Sequence, residues 1–386
     1  MAGKMVVILG GGFGGLSTAQ QLRRLLPPEH RIVVVERQNT FSLCTFNMRF
    51  MVGEIKDQRD VERPLSGLAS KGIEWVHGDI LEIDPSARRV RTSAGTLEGD
   101  YLIVALGAEK DGSIIPGFAE SAYNLYDASA ALALHKCLAE FNAGRAIVLV
   151  CRTPFSCPAA PYEAAFLMDS EFRSRGIREK VEVAVYTPEP RPMPAAGPPA
   201  GEALLNMLKE RDIKYYPQQK LHGIESGSKK IIFEGGETPF DLLVGIPPHV
   251  PPKVVREAGL ADETGWVTVE IDTLETRYPG VFAIGDVTTI KQPNPTGLPL
   301  PKAGVFADEQ ARVVAANIAA EIEGKDKSKR FDGKGFCYIE VGGGQAAYGS
   351  GNFYGYPGPT VYLDPPSRNL HEERKKLELD QLRDLV

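Results

Sequence analysis

The chain alternates between short uninterrupted apolar runs and longer stretches in which apolar residues recur every three or four positions. Residues 5–10 (MVVILG) form the first run; 31–36 (RIVVVE), 100–107 (DYLIVALG), 145–151 (RAIVLVC), 181–186 (VEVAVY), 241–246 (DLLVGI) and 278–286 (YPGVFAIGD) form others. Runs this short and continuous predict strands buried on both faces, the pattern of a parallel sheet. The helical period predicts helices over 16–26, 162–175 and 201–211. Another starts after Gly304, where Ala307, Ala311, Val314, Ala315, Ile318 and Ile322 share one stripe. The first helix stops at Pro27-Pro28, and the proline-rich stretch 188–199 predicts a loop. Strands near 213–216 and 230–234 complete two doubly wound α/β units.

The first unit carries chemistry at its first turn. Gly10, Gly12 and Gly15 hold the GxGxxG positions, directly after a strand and opening a helix. Glycines there let backbone N–H groups and a helix N-terminus approach a pyrophosphate. Glu36, 21 residues after Gly15 and at the end of the second strand, is placed to hold both hydroxyls of an adenosine ribose. The expected contacts of this dinucleotide are Gly10, Gly12, Phe13, Gly14, Gly15, Glu36 and Arg37. The strand ends at Ala105–Gly107 and Gly285-Asp286 add to them. Residues 278–286 resemble the second flavin fingerprint of the FAD-dependent pyridine nucleotide-disulfide oxidoreductase superfamily. The resemblance implies FAD, with Asp286 on the ribityl chain; alone, Asp286 would read as a turn residue. Lys302, Ala303 and Gly304 open the next helix, whose positive end would face the flavin pyrimidine ring. Lys302 would help to stabilise reduced flavin there, or it is a solvated loop lysine.

The second unit lacks this loop. After the strand at 145–151 the chain reads RTPFSCPAAPYE, and no glycine occurs between Gly144 and Gly176. Without glycine the backbone cannot come close to a pyrophosphate, so an NAD site is disfavoured although the fold persists.

Composition narrows the field further. The 386 residues suffice for two domains or slightly more, and 24% charged with 43% apolar residues is ordinary for a globular chain. A net charge of −6 gives no basic surface for nucleic acid. No run of about 18 apolar residues predicts a transmembrane helix, and the first strand starts too early to leave room for a signal peptide. The expectation is a protein that is cytoplasmic or peripheral on a membrane. The five cysteines, 44, 137, 151, 157 and 337, form no CxxC pair or zinc-ligand cluster, so no metal site is expected.

Four segments give the chain a family likeness: 157–163 (CPAAPYE), 247–252 (PPHVPP), 301–307 (PKAGVFA) and 337–342 (CYIEVG). Together they resemble the sulfide:quinone oxidoreductases and the flavoprotein subunit of flavocytochrome c sulfide dehydrogenase, from residue 4 to about 363. The resemblance implies a glutathione-reductase-like α/β fold: two Rossmann-like dinucleotide-binding domains and a small C-terminal capping domain. The FAD domain would comprise 1–109 and 262–325, the degenerate second domain 110–261, and the cap 326–386. It also implies a redox-active pair, Cys157 and Cys337, attacked by sulfide to leave one persulfide and one thiolate, with Cys337 nearer the flavin. Glu163 is implied as a proton carrier, or is an exposed acid on a first helical turn. His249 is a second proton carrier, or a structural histidine among prolines. Cys44 stands eight residues after Glu36, where flavocytochrome c flavoproteins carry the cysteine bonded to flavin, so it is either a covalent FAD attachment or a packed thiol. Cys137 reads as core. Cys151 reads as buried, with a Cys151–Cys157 pair as an alternative. The electron acceptor is a quinone or a cytochrome. An NADH-oxidising flavoprotein and a flavin-binding interaction protein are the rival readings. The tail 371–386 mixes charge with a short apolar stripe, Leu377, Leu382, Leu385 and Val386. It is expected to be a weak peripheral membrane contact or a solvated helix packing on its own domain or a partner. A homo-oligomer stays open. The segment 342–356, rich in glycine and aromatics, would line a quinone pocket or pack over the isoalloxazine.

Overall fold

The computed structural model describes residues 3–386. In chain order, β1 (Met5–Leu9), α1 (Phe13–Leu25), β2 (Arg31–Glu36), α2 (Phe46–Met51), β3 (Glu74–His77) and β4 (Tyr101–Val104) build the first unit. There follow β5 (Tyr123–Asn124), α3 (Ala128–Glu140), β6 (Gly144–Val150), α4 (Ala160–Ser174), β7 (Val181–Tyr186), α5 (Pro198–Glu210), β8 (Lys214–Tyr216) and β9 (Leu242–Ile246). The chain then returns with β10 (Val281–Ala283) and α6 (Gly304–Ile322). It ends in β11 (Lys334–Gly342), β12 (Gln345–Asn352), β13 (Thr360–Ser367) and α7 (Arg368–Leu385).

Two five-stranded sheets have the orders β10-β4-β1-β2-β3 and β5-β9-β6-β7-β8. Every pairing within them is parallel. The continuous apolar runs are therefore buried on both faces: Val6–Leu9 and Ala146–Val150 are all at 0% exposure. Return of the chain at β10 beside β4 makes the first unit discontinuous in sequence. Strands β11, β12 and β13 form an antiparallel sheet, with Cys337 paired across from Gly349.

One predicted strand lies elsewhere. Lys230–Phe233 does not extend the second parallel sheet; it is the middle strand of an antiparallel meander with Leu221–Glu225 and Gly236–Pro239. The turns around 226–229 and 234–236 are too short for a crossover, so neighbouring strands reverse and pair directly.

The C-terminal helix packs on its own chain, one of the alternatives offered for it, but its inner face is buried rather than solvated. Helix α7 packs against β12, β11, β13 and α1. Its inward stripe is His371, Arg374, Glu378, Leu382 and Leu385, all buried. The first unit satisfies its last turn: Gln20 Nε2 donates to the Leu385 carbonyl at 3.0 Å, and Lys71 Nζ to that of Asp384 at 3.1 Å. No helix among the described residues is long and apolar enough to cross a membrane.

Docking of α7 has a measurable consequence. Leu382→Ala removes a side chain at 0% exposure and is expected to cost about 2–5 kcal/mol in urea unfolding. Leu379→Ala, on the outer face of the same helix, is expected to change stability by under about 0.5 kcal/mol. Equal small effects at both positions would mean that the helix is not held to the body.

Candidate active site

The glycine loop after β1 forms a cradle open to an anionic ligand. A Cβ at Gly15 would stand 1.9 Å from the Gly10 carbonyl oxygen, so only glycine lets α1 sit this close to β1. Gly10 itself is at φ +105°. Gly12 and Gly107, by contrast, face open space. Helix α1 has no side-chain cap, which leaves its first N–H groups free to donate. Glu36 accepts from the Gly11 N–H at 2.7 Å and the Gln38 N–H at 2.9 Å, and each carboxylate oxygen keeps a lone pair for a ribose hydroxyl. Arg37 is exposed beside it, while Ala105 is buried at the floor. These features fit an FAD adenosine and pyrophosphate.

The N-terminus of α6 meets that of α1. A Cβ at Gly304 would lie 3.4 Å from the Phe13 ring, and one at Gly14 3.3 Å from Ala307 Cβ. Helix α6 begins after Ala303 without a side-chain cap, so its N–H groups point toward the same opening. Gly285, at φ +70°, turns Asp286 into this space. The Asp286 carboxylate accepts from Ser156 Oγ. Lys302 is not a solvated loop residue: it is 7% exposed, and its Nζ donates to the carbonyls of Asp286 (2.5 Å) and Thr288 (3.0 Å). The ammonium also lies 3.5 Å from the Trp266 ring centroid, and burial pushes its pKa down to about 8, with Asp286 opposing. Lys302 therefore holds the Asp286 loop in shape.

The loop that would cradle phosphate in the second unit turns instead toward the first. The Cys157 N–H donates to the Lys302 carbonyl at 2.7 Å, and Ser156 bridges to Lys302. Cys157 stands at φ +54°, a left-handed conformation that costs a non-glycine residue about 1–2 kcal/mol. Its own carbonyl accepts from the Ala160 N–H at 2.9 Å, so it is fixed on both sides just before α4.

Helix α4 packs along β11, which carries Cys337. Both cysteines are half-buried free thiols. Burial pushes the Cys157 pKa well up; the charges of Glu163, Cys44 and Cys337 add, while Arg374 opposes. Burial also pushes Cys337 up to about 12, with Glu163 adding and Arg374 opposing. Cys44 is exposed, yet desolvation by the surrounding chain raises its thiol, with Lys110 lowering it and Asp286 raising it. Cys151 is buried in the second unit's core and pushed up by desolvation. Cys137 is half-buried on α3.

Glu163 is the opposite of an exposed acid. At 1% exposure it accepts the Glu340 N–H at 2.8 Å and pairs with Arg374 Nη1. Arg374 Nε continues to Glu378 at 3.0 Å, and Glu378 to Arg49 at 2.6 Å. His371 Nδ1 meets Glu340 Oε2 at 2.8 Å. His249 is 5% exposed; its Nδ1–H donates to the Pro247 carbonyl at 3.0 Å, and Nε2 has no partner. Burial pushes its pKa down to about 4, so the ring is neutral near pH 7. Tyr126 packs edge-on against that ring at 4.8 Å and donates to the Ser156 carbonyl.

Tyr126, Ser156, Glu340 and Arg374 are the members of this site that the sequence pattern missed. The position of Ser156 beside Cys157 was the available signal for one of them. Nothing in the spacing pointed to the others. The aromatic segment 342–356 divides: Tyr348 joins Phe336 and Tyr338, Phe353 packs at 4.9 Å on Phe306, and Tyr356 is exposed. A recess of about 300 Å³ lined by Glu82, Asp84 and Tyr278 contains none of these groups. Its acids Glu82 and Asp84 are paired with Arg91 and Arg89.

Two expectations follow from this geometry. In a Cys44→Ser background, where no covalent link can retain the flavin, Gly12→Ala should leave urea stability within about 1 kcal/mol yet release FAD on dialysis, whereas Gly15→Ala should lower stability itself because backbone must move. Retention of FAD in Gly12→Ala would place the pyrophosphate elsewhere. Iodoacetamide labelling of Cys337 should accelerate about tenfold per pH unit from about pH 7 to about pH 9, because the thiolate fraction is still rising there. A plateau inside that range would show a thiol that is not raised.

Residues 4–300 match the family model of the pyridine nucleotide-disulphide oxidoreductases. The chain is 31% identical over 337 residues to the sulfide-quinone reductase of Aquifex aeolicus, covering 83% of this chain and 77% of that protein. It is 28% identical over 356 residues to the mitochondrial sulfide:quinone oxidoreductase of Mus musculus, covering 87% and 75%. The crystal structure of the Aquifex aeolicus sulfide:quinone oxidoreductase superposes with a TM-score of 0.87 at 26% identity, covering 99% of this chain and 92% of that one. With its two parallel-sheet units and flavin cradle, the chain belongs to the pyridine nucleotide-disulphide oxidoreductase family, in the branch of the sulfide:quinone oxidoreductases.

Proposed function

We propose that this protein is an FAD-dependent oxidoreductase that oxidises sulfide at Cys157 and Cys337 and delivers the electrons to a quinone. The observation that carries the reading is the convergence of the Cys157 loop and the Cys337 strand beside the flavin cradle. In this reading hydrosulfide attacks the Cys157–Cys337 disulfide. A new S–S bond forms on one cysteine as a persulfide, and the other sulfur leaves as a thiolate. Bound FAD supplies the two-electron acceptor for that reduced pair. Gly12, Glu36 and Asp286 would hold it, and the α6 N-terminus would stabilise negative charge on its ring. Glu163 and His249 are the proton-handling groups nearest the cysteines and Asp286. His249 offers an unpartnered Nε2 lone pair, and Glu163 is restrained by Arg374.

The quinone acceptor follows the acceptors named for the relatives. Domain limits of 1–109 with 262–325, 110–261 and 326–386 are part of the same reading. Nicotinamide donation is disfavoured because the second unit's turn carries no glycine and is folded onto Lys302. Cys44 is the residue through which FAD would be held covalently, being exposed and within reach of the Asp286 charge.

Anaerobic sulfide should bleach the flavin, and added decylubiquinone should restore its colour. Cys337→Ser should keep FAD but lose sulfide-driven bleaching by at least about a hundredfold, the scale on which loss of a covalent nucleophile acts. Fast reduction by NADH with none by sulfide would sink the proposal. Flavin that stays with the acid-denatured polypeptide establishes the Cys44 link, and full release rules it out.

A further inference from the structure

Two segments from distant parts of the chain meet at one side chain of the C-terminal helix. Glu163 follows Cys157 by six residues and opens α4; Glu340 follows Cys337 by three residues on β11. The Glu340 N–H donates to Glu163 Oε1 at 2.8 Å, which ties the two cysteine-bearing segments directly. Arg374 Nη1 binds the same Glu163 oxygen and lies 3.5 Å from the Tyr338 carbonyl, the residue next to Cys337. Its Nε reaches Glu378 at 3.0 Å and Glu340 Oε1 at 3.8 Å. Arg374 is 5% exposed, so these contacts replace water rather than supplement it.

We propose that Arg374 is a positioning residue for the cysteine pair: it clamps the Cys157 and Cys337 segments through Glu163 and Glu340, and it cancels the Glu163 charge that otherwise opposes both thiolates. The proposal rests on the reading of these cysteines as a working pair.

The electrostatic surroundings give the clamp a sign. Cys157 faces Glu163 on the helix that follows it, Cys44 from the first unit, Cys337 from β11 and Arg374 from α7. Tyr126 lies on its remaining side, itself near Asp286. Cys337 faces Glu163 and Arg374, with Tyr348, next to its cross-strand partner Gly349 on β12, nearby. Arg374 is the one cation among these groups, and Glu163 is the carboxylate that acts on both thiols. Removing the cation leaves a bare carboxylate beside them; removing the carboxylate leaves a cation. A merely structural ion pair would weaken folding in both variants and move the two thiols in no consistent direction. A clamp moves them oppositely. Cys137 is a built-in control: it lies on α3, half-buried, and is not among the groups that act on Cys157 or Cys337.

The test uses reduced holoenzyme without sulfide, with iodoacetamide labelling followed peptide by peptide against pH. In Arg374→Gln, labelling of Cys157 and Cys337 near pH 8 should slow about tenfold, one pKa unit. In Glu163→Gln it should accelerate about tenfold, and Arg374→Lys should restore most of the parent rate. Cys137 should stay within about twofold in all three. Shifts in the same direction in Arg374→Gln and Glu163→Gln, or no shift in either, overturn the proposal. If Arg374→Gln fails to fold, Glu163→Gln decides alone: faster labelling of both cysteines supports the clamp, unchanged or slower labelling overturns it. The outcome is independent of the sulfide reading, since that reading falls if Cys337→Ser still bleaches with sulfide whatever the labelling shows.

Discussion

Glu163 meets almost no water, and the groups that replace water for it come from two different elements. One is the Glu340 N–H on β11, and the other is Arg374 on α7. Removing one partner of such a buried pair typically costs about 3–5 kcal/mol, a large share of the roughly 5–15 kcal/mol that holds a domain together. The pair is also not isolated. Arg374 passes to Glu378, and Glu378 to Arg49 on α2 of the first unit, while His371 closes on Glu340. One network therefore joins the flavin-cradle unit, the second unit and the C-terminal sheet. The cysteines sit on the two segments that it draws together.

The two parallel-sheet units share an architecture but use their first turns differently. Gly10, Gly12 and Gly15 let the first turn lie flat against a strand and leave backbone donors facing open space. The second turn has side chains throughout, so its backbone cannot lie against a phosphate. It crosses instead to Lys302, places Ser156 on Asp286 and fixes Cys157 in a left-handed conformation. A nucleotide-binding turn has in this way become a thiol-presenting one. Lys302 belongs to both arrangements: its carbonyl receives Cys157, and its ammonium binds the Asp286 carbonyl that shapes the flavin side.

Much of this was legible in the sequence because the signals are local. Continuous apolar runs mark the parallel strands, and the period of α6 marks its buried stripe. The cradle was legible because GxGxxG and an acid at fixed spacing describe one short unit. Lys230–Phe233 was misplaced, since a strand's own residues do not say which sheet it joins. Glu163 was harder still. A glutamate on a first helical turn is usually solvated, and its burial depends on an arginine more than two hundred residues later.

The tail shows the boundary most clearly. Its buried face carries His371, Arg374 and Glu378 before Leu382 and Leu385, so a hydrophobicity pattern reads the helix as solvated. Those polar residues are buried only because each finds an oppositely charged or hydrogen-bonding partner on another element. The sequence by itself determined the α/β class and the glycine-loop half of the flavin cradle, since each rests on contacts within a few tens of residues. Tertiary structure decided which side chains surround Cys157 and Cys337, because the energy of a buried charge depends on partners that only the folded chain brings within a few ångströms.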